Sequence, residues 1–118
     1  MKTEPTETDR LAAQLFAPAG GMRAAWRGER NGVRPVWERL RDGSEATPDF
    51  YDTDDPATVG CMLAQVEDVA GYPVDAWSHS RHAGTEFEID RYDGATLGSG
   101  PTRGAALVEA MRAMKTAN

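Results

Sequence analysis

Residues 54–71 constrain this chain more than any other stretch, because the start, the apolar face and the stop of one helix are all written into it. Asp55 is placed to cap the free amides of a first turn. Pro56 suits the first helical position, where its missing amide hydrogen costs nothing. Val59, Met62, Leu63, Val66, Val69 and Ala70 follow the i, i+3, i+4, i+7 spacing of one buried face. Gly71 can take the left-handed conformation that ends a helix. A helix of about four turns with one apolar face needs a partner surface, so the rest of the chain must supply a sheet or further helices.

At 118 residues and 40% hydrophobic, the chain suits a single domain spanning 1–118, with frayed ends at 1–6 and 115–118. One cysteine excludes an internal disulfide and a cysteine-rich zinc site, which favours a reducing interior such as bacterial cytoplasm. The opening residues lack the apolar core of a signal peptide, and nowhere do about 18 apolar residues run together. The expectation is therefore a soluble, cytoplasmic protein with no membrane partner. The net charge of -6 comes with 11 Arg and 2 Lys spread singly or alternating with acids. Nucleic-acid binding is disfavoured, since phosphate neutralisation needs clustered cations.

Taken in order, a first helix begins at Thr6, which can form a capping box with Asp9, and runs through Leu11, Ala12, Leu15 and Phe16 until Pro18, Gly20 and Gly21 stop it. Asn31 and Gly32 then mark a type I′ hairpin turn, which sets Arg30 against Val33, Gly28 against Pro35 and Trp26 directly against Trp37. Pro35 places its strand at an edge or a bulge. A competing reading makes 35–41 a short helix, with Val36, Trp37 and Leu40 on one side and Gly43 as its stop. Residues 42–54 read as an ordered loop anchored by Phe50 and Tyr51.

Beyond the central helix, strands over 74–81 and 85–92 join through a three-residue loop, His82, Ala83 and Gly84. That register sets Trp77 against Ile89 and His79 against Phe87, so Trp77, Phe87 and Ile89 mark the core face. Ala76, Ser78, Ser80, Glu86, Glu88 and Asp90 then share the other face. Asp93 and Gly94 turn the chain into a short strand around Leu97, ended by Gly98 to Gly100. Pro101 and Thr102 open a last helix whose face holds Ala105, Ala106, Leu107, Ala110, Met111 and Met114. The fold class is α+β, in the order α-β-β-α-β-β-β-α, with about five mostly antiparallel strands.

Several of these residues resemble the phage ABA sandwich domain, a family of small phage and prophage proteins. The resemblance lies in Trp26 with Asn31 and Gly32, and in Pro48-Asp49-Phe50-Tyr51-Asp52-Thr53-Asp54. It continues in Asp55-Pro56-Ala57-Thr58-Val59-Gly60-Cys61-Met62-Leu63-Ala64, then in Gly100-Pro101-Thr102 and Ala105-Ala106-Leu107-Val108-Glu109-Ala110, over about residues 20 to 115. It implies a sheet between helical layers, an α/β/α sandwich, and a phage or prophage origin. Residues 36–43 depart from the family pattern. No activity comes with the resemblance, and no catalytic residue.

The residues able to carry chemistry also admit plainer roles. Cys61 with His79 or His82 has the residue types of a nucleophile and base, but Cys61 sits at the flank of the apolar face with no neighbouring cation to lower its pKa. Zinc wants four ligands, and these three are too few. Asp52, Asp54 and Asp55 resemble a calcium loop until its sixth position proves to be Ala57 and its twelfth Leu63. The run 98–102 precedes a helix without the lysine of a phosphate loop. Glu86, Glu88 and Asp90 form an acidic stripe that either faces solvent or meets a basic partner.

The sequence thus points to a non-enzymatic accessory protein, without cofactor or metal, that acts on a host or phage protein and modulates a host system. Glu86, Glu88, Asp90, Trp26 and Trp37 are the candidate partner-contact residues. The alternative is a structural or assembly module that self-associates through Trp26 and Trp37. An enzyme whose site these residues do not betray is the third class.

Overall fold

The computed structural model describes residues 4–16, 22–39, 49–81, 84–91 and 93–116. In chain order these form α1 (Glu7–Phe16), β1 (Met22–Glu29), β2 (Gly32–Arg39), α2 (Pro56–Ala70), β3 (Asp75–Arg81), β4 (Gly84–Asp90), β5 (Thr96–Gly100) and α3 (Arg103–Thr116). The fold is α+β in the expected order. Its five strands are antiparallel and lie in two sheets, β1-β2 and β3-β4-β5. Two compact units divide the chain, Met1–Cys61 and Met62–Asn118, so the boundary falls within α2. The helix stop at Pro18, Gly20 and Gly21, the loop over 42–48, His82 with Ala83, and the extreme termini lie outside the described residues.

The first unit opens on a complete capping box. The Asp9 amide donates to Thr6 Oγ1 at 3.2 Å, and the Thr6 amide donates back to Asp9 Oδ2 at 2.9 Å. Ala12, Ala13 and Phe16 follow on the buried side of α1. The next element is a strand pair: β2 runs as extended chain to Arg39, which settles the helix-or-strand alternative in favour of the strand for the described part of 35–41.

Its register differs from the expected one. Glu29 pairs with Gly32, so Arg30 and Asn31 occupy the turn. Trp26 faces Pro35, and Trp37 faces Ala24. Among the described residues no side-chain-bearing residue has positive φ, so the turn is not the type I′ expected; the unusual backbone falls on Gly32, at φ +130°. Proline supplies the reason. Antiparallel pairs alternate between hydrogen-bonded and non-hydrogen-bonded positions, and counting from Glu29 and Gly32 puts Trp26 and Pro35 at a non-bonded one. The expected register would have put Pro35 at a bonded position, where its missing N–H breaks the ladder.

Before α2, Tyr51 is buried and its amide donates to the Asp9 carbonyl at 3.1 Å. This is the anchoring role expected of it. Trp37 packs against Tyr51 with ring centroids 5.0 Å apart and the planes tilted by 43°. The α2 start is as expected: Asp55 Oδ2 accepts from the Thr58 amide at 3.0 Å and from Thr58 Oγ1 at 3.1 Å. A Cβ at Gly60 would collide with the Pro35 ring, so this glycine lets β2 seat against the first turns of the helix. The buried stripe of α2 is rotated from the expected face. Ala57, Thr58, Cys61, Met62 and Val66 are buried, Val59 and Leu63 are half-buried, and Val69 is 47% exposed. Cys61 therefore belongs to the buried stripe rather than its flank.

In the second unit, α2 ends as expected at Gly71, at φ +83°, whose amide donates to the Glu67 carbonyl at 2.8 Å. The Glu67 carboxylate also accepts from the Val74 amide at 3.1 Å, which directs the chain into β3. The β3-β4 register is corrected by one residue. Arg81 pairs with Gly84, so Gly84 belongs to the strand and not to a three-residue loop. A slip of one exchanges the faces that meet across the ladder. Ile89 pairs with Ala76 and Phe87 with Ser78, while Trp77 pairs with Glu88 and His79 with Glu86. The expected core set of Trp77 with Phe87 and Ile89 is broken accordingly; Ile89 is fully buried and Phe87 half-buried.

The turn at Asp93 and Gly94 is as expected, with Gly94 at φ +90° and the Arg91 amide donating to the Ala95 carbonyl at 2.8 Å. Gly98 to Gly100 do not end β5; they form most of it. They serve α3, which is capped by Thr102 Oγ1 accepting from the Ala105 amide at 3.0 Å. α3 packs on β5 and β4 and buries Gly104, Ala106, Leu107, Val108, Ala110 and Met111.

Candidate functional site

The β1-β2 hairpin carries two unlike faces. Register parity places Ala24, Trp26 and Gly28 with Val33, Pro35 and Trp37 on one side. Toward the strand ends remote from the turn this side is seated, through Trp37 on Tyr51 and Pro35 against Gly60. Toward the turn it is not: Trp26 is 52% exposed and Val33 is 68% exposed. Trp26 and Trp37 are thus not directly opposed as expected. They are diagonal neighbours on one face, one exposed and one half-buried.

The other side of the hairpin is charged. Arg23 donates from Nε and one terminal nitrogen to Glu38 Oε1, at 3.2 and 3.0 Å, and Arg34 pairs with Glu29. Arg27 faces Arg34 directly. These exposed pairs add little stability, on the order of 0.5 kcal/mol each, but they fix the order of charges along the edge of the sheet.

The acidic stripe, expected either to face solvent or to meet a basic partner, is unevenly exposed. Glu86 and Glu88 are half-buried and Asp90 is buried, beside a register irregularity between Ile89 and Asp90. Asp90 also pairs across the sheet with Asp75 rather than with an apolar or basic residue. Asp90 is thus the most covered of the three, at 8% exposure.

Cys61 is 3% exposed. Burial first, and the nearby Asp55 carboxylate second, push its thiol up to about 11 from 9.0. The Tyr51 phenol is raised by burial and by the Cys61 charge. A thiol in this state is a poor nucleophile near neutral pH. Its linkage to stability has a definite sign. The folded chain holds the proton more tightly than the unfolded one, so the stabilisation is complete below pH 9.0 and is lost as pH rises toward about 11. Urea unfolding is expected to show stability falling by roughly 2 kcal/mol across that window, with a visibly shallower fall in Cys61→Ala. An equal fall in both proteins would assign the loss elsewhere.

Asp52 Oδ1 accepts from the Asp54 amide at 3.0 Å, so the acidic run before α2 is spent on turn and cap. Among the described residues no three His, Cys, Asp or Glu side chains come together to hold a metal. No helix among them is long and apolar enough to cross a membrane.

The residue that sequence reasoning placed but did not follow is Asp9. Beyond the capping box, its fully buried carboxylate accepts from the Thr53 amide at 3.0 Å and from Thr53 Oγ1 at 2.7 Å, forty-four positions along the chain. No family model, no curated protein and no solved structure matches the chain.

Proposed function

We propose that this chain is a small phage or prophage accessory protein that acts on a host or phage protein by contact, with the turn end of the β1-β2 hairpin as its contact surface. The observation that carries this reading is the 52% exposure of Trp26 beside Val33, on a face that is seated only at its far end. Tryptophan contributes more than almost any residue at protein interfaces, and a half-exposed one has apolar area left to cover. Arg30 lies in the turn next to this end of the face, while Arg27, Glu29 and Arg34 occupy the opposite side of the hairpin. The phage origin rests on the resemblance of the caps and turns, and the modulation of a host system on that origin.

The test is capture from host lysate with wild-type protein and Trp26→Ser. Wild type is expected to retain a partner that the variant binds roughly 30-fold more weakly, the cost of a hot-spot tryptophan. Glu86→Lys with Glu88→Lys is expected to leave that capture unchanged. Retention by Trp26→Ser, or loss in the glutamate variant, would move the contact surface off the hairpin.

A further inference from the structure

We infer that the outer edge of β1 pairs with β1 of a second copy of this chain, antiparallel about Trp26, to make a symmetric dimer through a continuous four-stranded sheet. The inference deepens the contact-surface reading and rests on it.

Among the described strands, β1 and β2 have only each other as neighbours, so each has one outer edge. The two edges are not equivalent. At the non-bonded position Trp26–Pro35, backbone polar groups point away from the partner strand. On β2, therefore, the outward groups are those of Val33, Pro35 and Trp37, and proline has no N–H to offer; it blunts that edge. On β1 the outward groups are those of Ala24, Trp26 and Gly28, with none missing. A strand can add to β1 and is hindered at β2.

A second copy added about a twofold axis must run antiparallel, and outward groups must meet outward groups, which permits only registers that differ by two residues. With Trp26 opposite the second copy's Trp26, Ala24 meets Gly28 and both form bonded pairs. At the intervening positions, where side chains approach more closely, Arg23 then lies opposite Glu29 of the second copy, twice by symmetry, and Ala25 lies opposite Arg27. A shift one way sets Arg23 against Arg27, and the other way sets Arg27 against itself. Of these three registers only the central one joins opposite charges; the next shift would set Arg27 against Glu29 but would put Trp26 opposite Arg30, which lies in the turn beyond the strand.

The charges already paired within each hairpin extend the match. Glu38 binds Arg23 and Glu29 binds Arg34 in one copy. The dimer therefore carries a lateral chain of alternating sign, Glu38 to Arg23 to the second copy's Glu29 to its Arg34. The two Trp26 side chains then lie side by side on one face of the four-stranded sheet, so each covers part of its counterpart and the pair stays on the proposed contact surface.

The experiment is sedimentation or light scattering on the intact chain. At about 100 μM the wild type is expected to have twice the chain mass, a concentration at which a modest interface is populated. Arg23→Glu and Glu29→Arg are each expected to dimerise roughly tenfold more weakly, because each homodimer then holds two like-charge pairs. Mixing the two variants is expected to restore the wild-type affinity. In the mixed dimer the two substituted positions face each other with opposite charges, and the native Arg23 and Glu29 do so at the symmetric contact, so both contacts become attractive. Recovery on mixing cannot arise from a folding defect in either variant, and circular dichroism on each alone shows whether the hairpin forms. A monomeric wild type overturns the dimer, as does a mixture no tighter than its components. A monomer that still captures a partner through Trp26 overturns the second-copy inference alone. Loss of both overturns the contact surface itself.

Discussion

Gly98→Ala is expected to lower the stability of the fold by about 3 kcal/mol and its melting temperature by roughly 10 °C or more, despite adding a single methyl group in a strand. The reason is what that methyl would meet. A Cβ on Gly98 would collide with the Ala110 amide nitrogen and stand 2.6 Å from the Ala106 carbonyl oxygen and 2.8 Å from the Ala110 Cα. These are backbone atoms of α3 and cannot rotate aside. The helix must lift off the strand, which loosens the burial of Ala106, Leu107, Ala110 and Met111 beneath it. The contrast is Gly28→Ala, whose Cβ meets nothing within 4 Å and whose φ is not positive. Alanine there should be neutral or stabilise by a few tenths of a kcal/mol, through the lower entropy of the unfolded chain. Thermal and urea unfolding of both variants separates steric exclusion from backbone entropy. If Gly98→Ala unfolds within about 1 kcal/mol of wild type, α3 does not press on β5 as described.

Gly98 also shows where a sequence stops being legible. Gly98, Ser99 and Gly100 look like a strand terminus because glycine is a poor strand residue and punctuates loops. Their role depends on α3, a separate element whose Ala106 and Ala110 approach so closely that only glycine fits opposite them. The caps were readable for the opposite reason. Thr6 with Asp9, Asp55 before Pro56, Thr102 before Ala105 and the positive φ of Gly71 and Gly94 are settled within four residues of chain, so each could be read from its own neighbourhood.

Strand registers fall between these cases. Asn31 and Gly32 announced a hairpin correctly, but the pairing was decided three residues further on, by a proline that cannot donate a ladder bond. At the second hairpin a single glycine, Gly84, in the strand instead of the loop exchanged the meeting faces, and with them the expected company of Trp77. The candidate site inherited both effects. Trp26 could be singled out as a large aromatic on a short hairpin, but its exposure depends on residues far along the chain: Tyr51 and Gly60 meet Trp37 and Pro35, and Trp26 stays 52% exposed. The burial of Asp90 accompanies a local irregularity between β4 and β5 that no alternation pattern encodes.

Asp9→Ala is expected to cost about 4 kcal/mol, more than the roughly 1 kcal/mol of an ordinary helix cap, because the carboxylate serves two elements at once. One oxygen closes the α1 capping box with the Thr6 amide, and the other receives the amide and the hydroxyl of Thr53. Asp9 is fully buried and Thr53 nearly so, hence water cannot replace the lost acceptor without opening the junction between α1 and the segment that leads into α2. Asp9→Asn keeps the shape but replaces one acceptor oxygen with a donor and removes the charge that strengthens these bonds, so its cost should be intermediate. Thr53→Val removes only the hydroxyl. A double-mutant cycle between Asp9→Ala and Thr53→Val is therefore expected to show a coupling of about 1 to 2 kcal/mol, whereas additive costs would mean that the two residues stabilise the fold independently. The same cycle monitored by exchange of the Tyr51 amide, which donates to the Asp9 carbonyl at 3.1 Å, reports on the junction itself. In Asp9→Ala this amide should lose its protection before those of α3, because the break begins where the carboxylate is missing and not in the second unit of the chain.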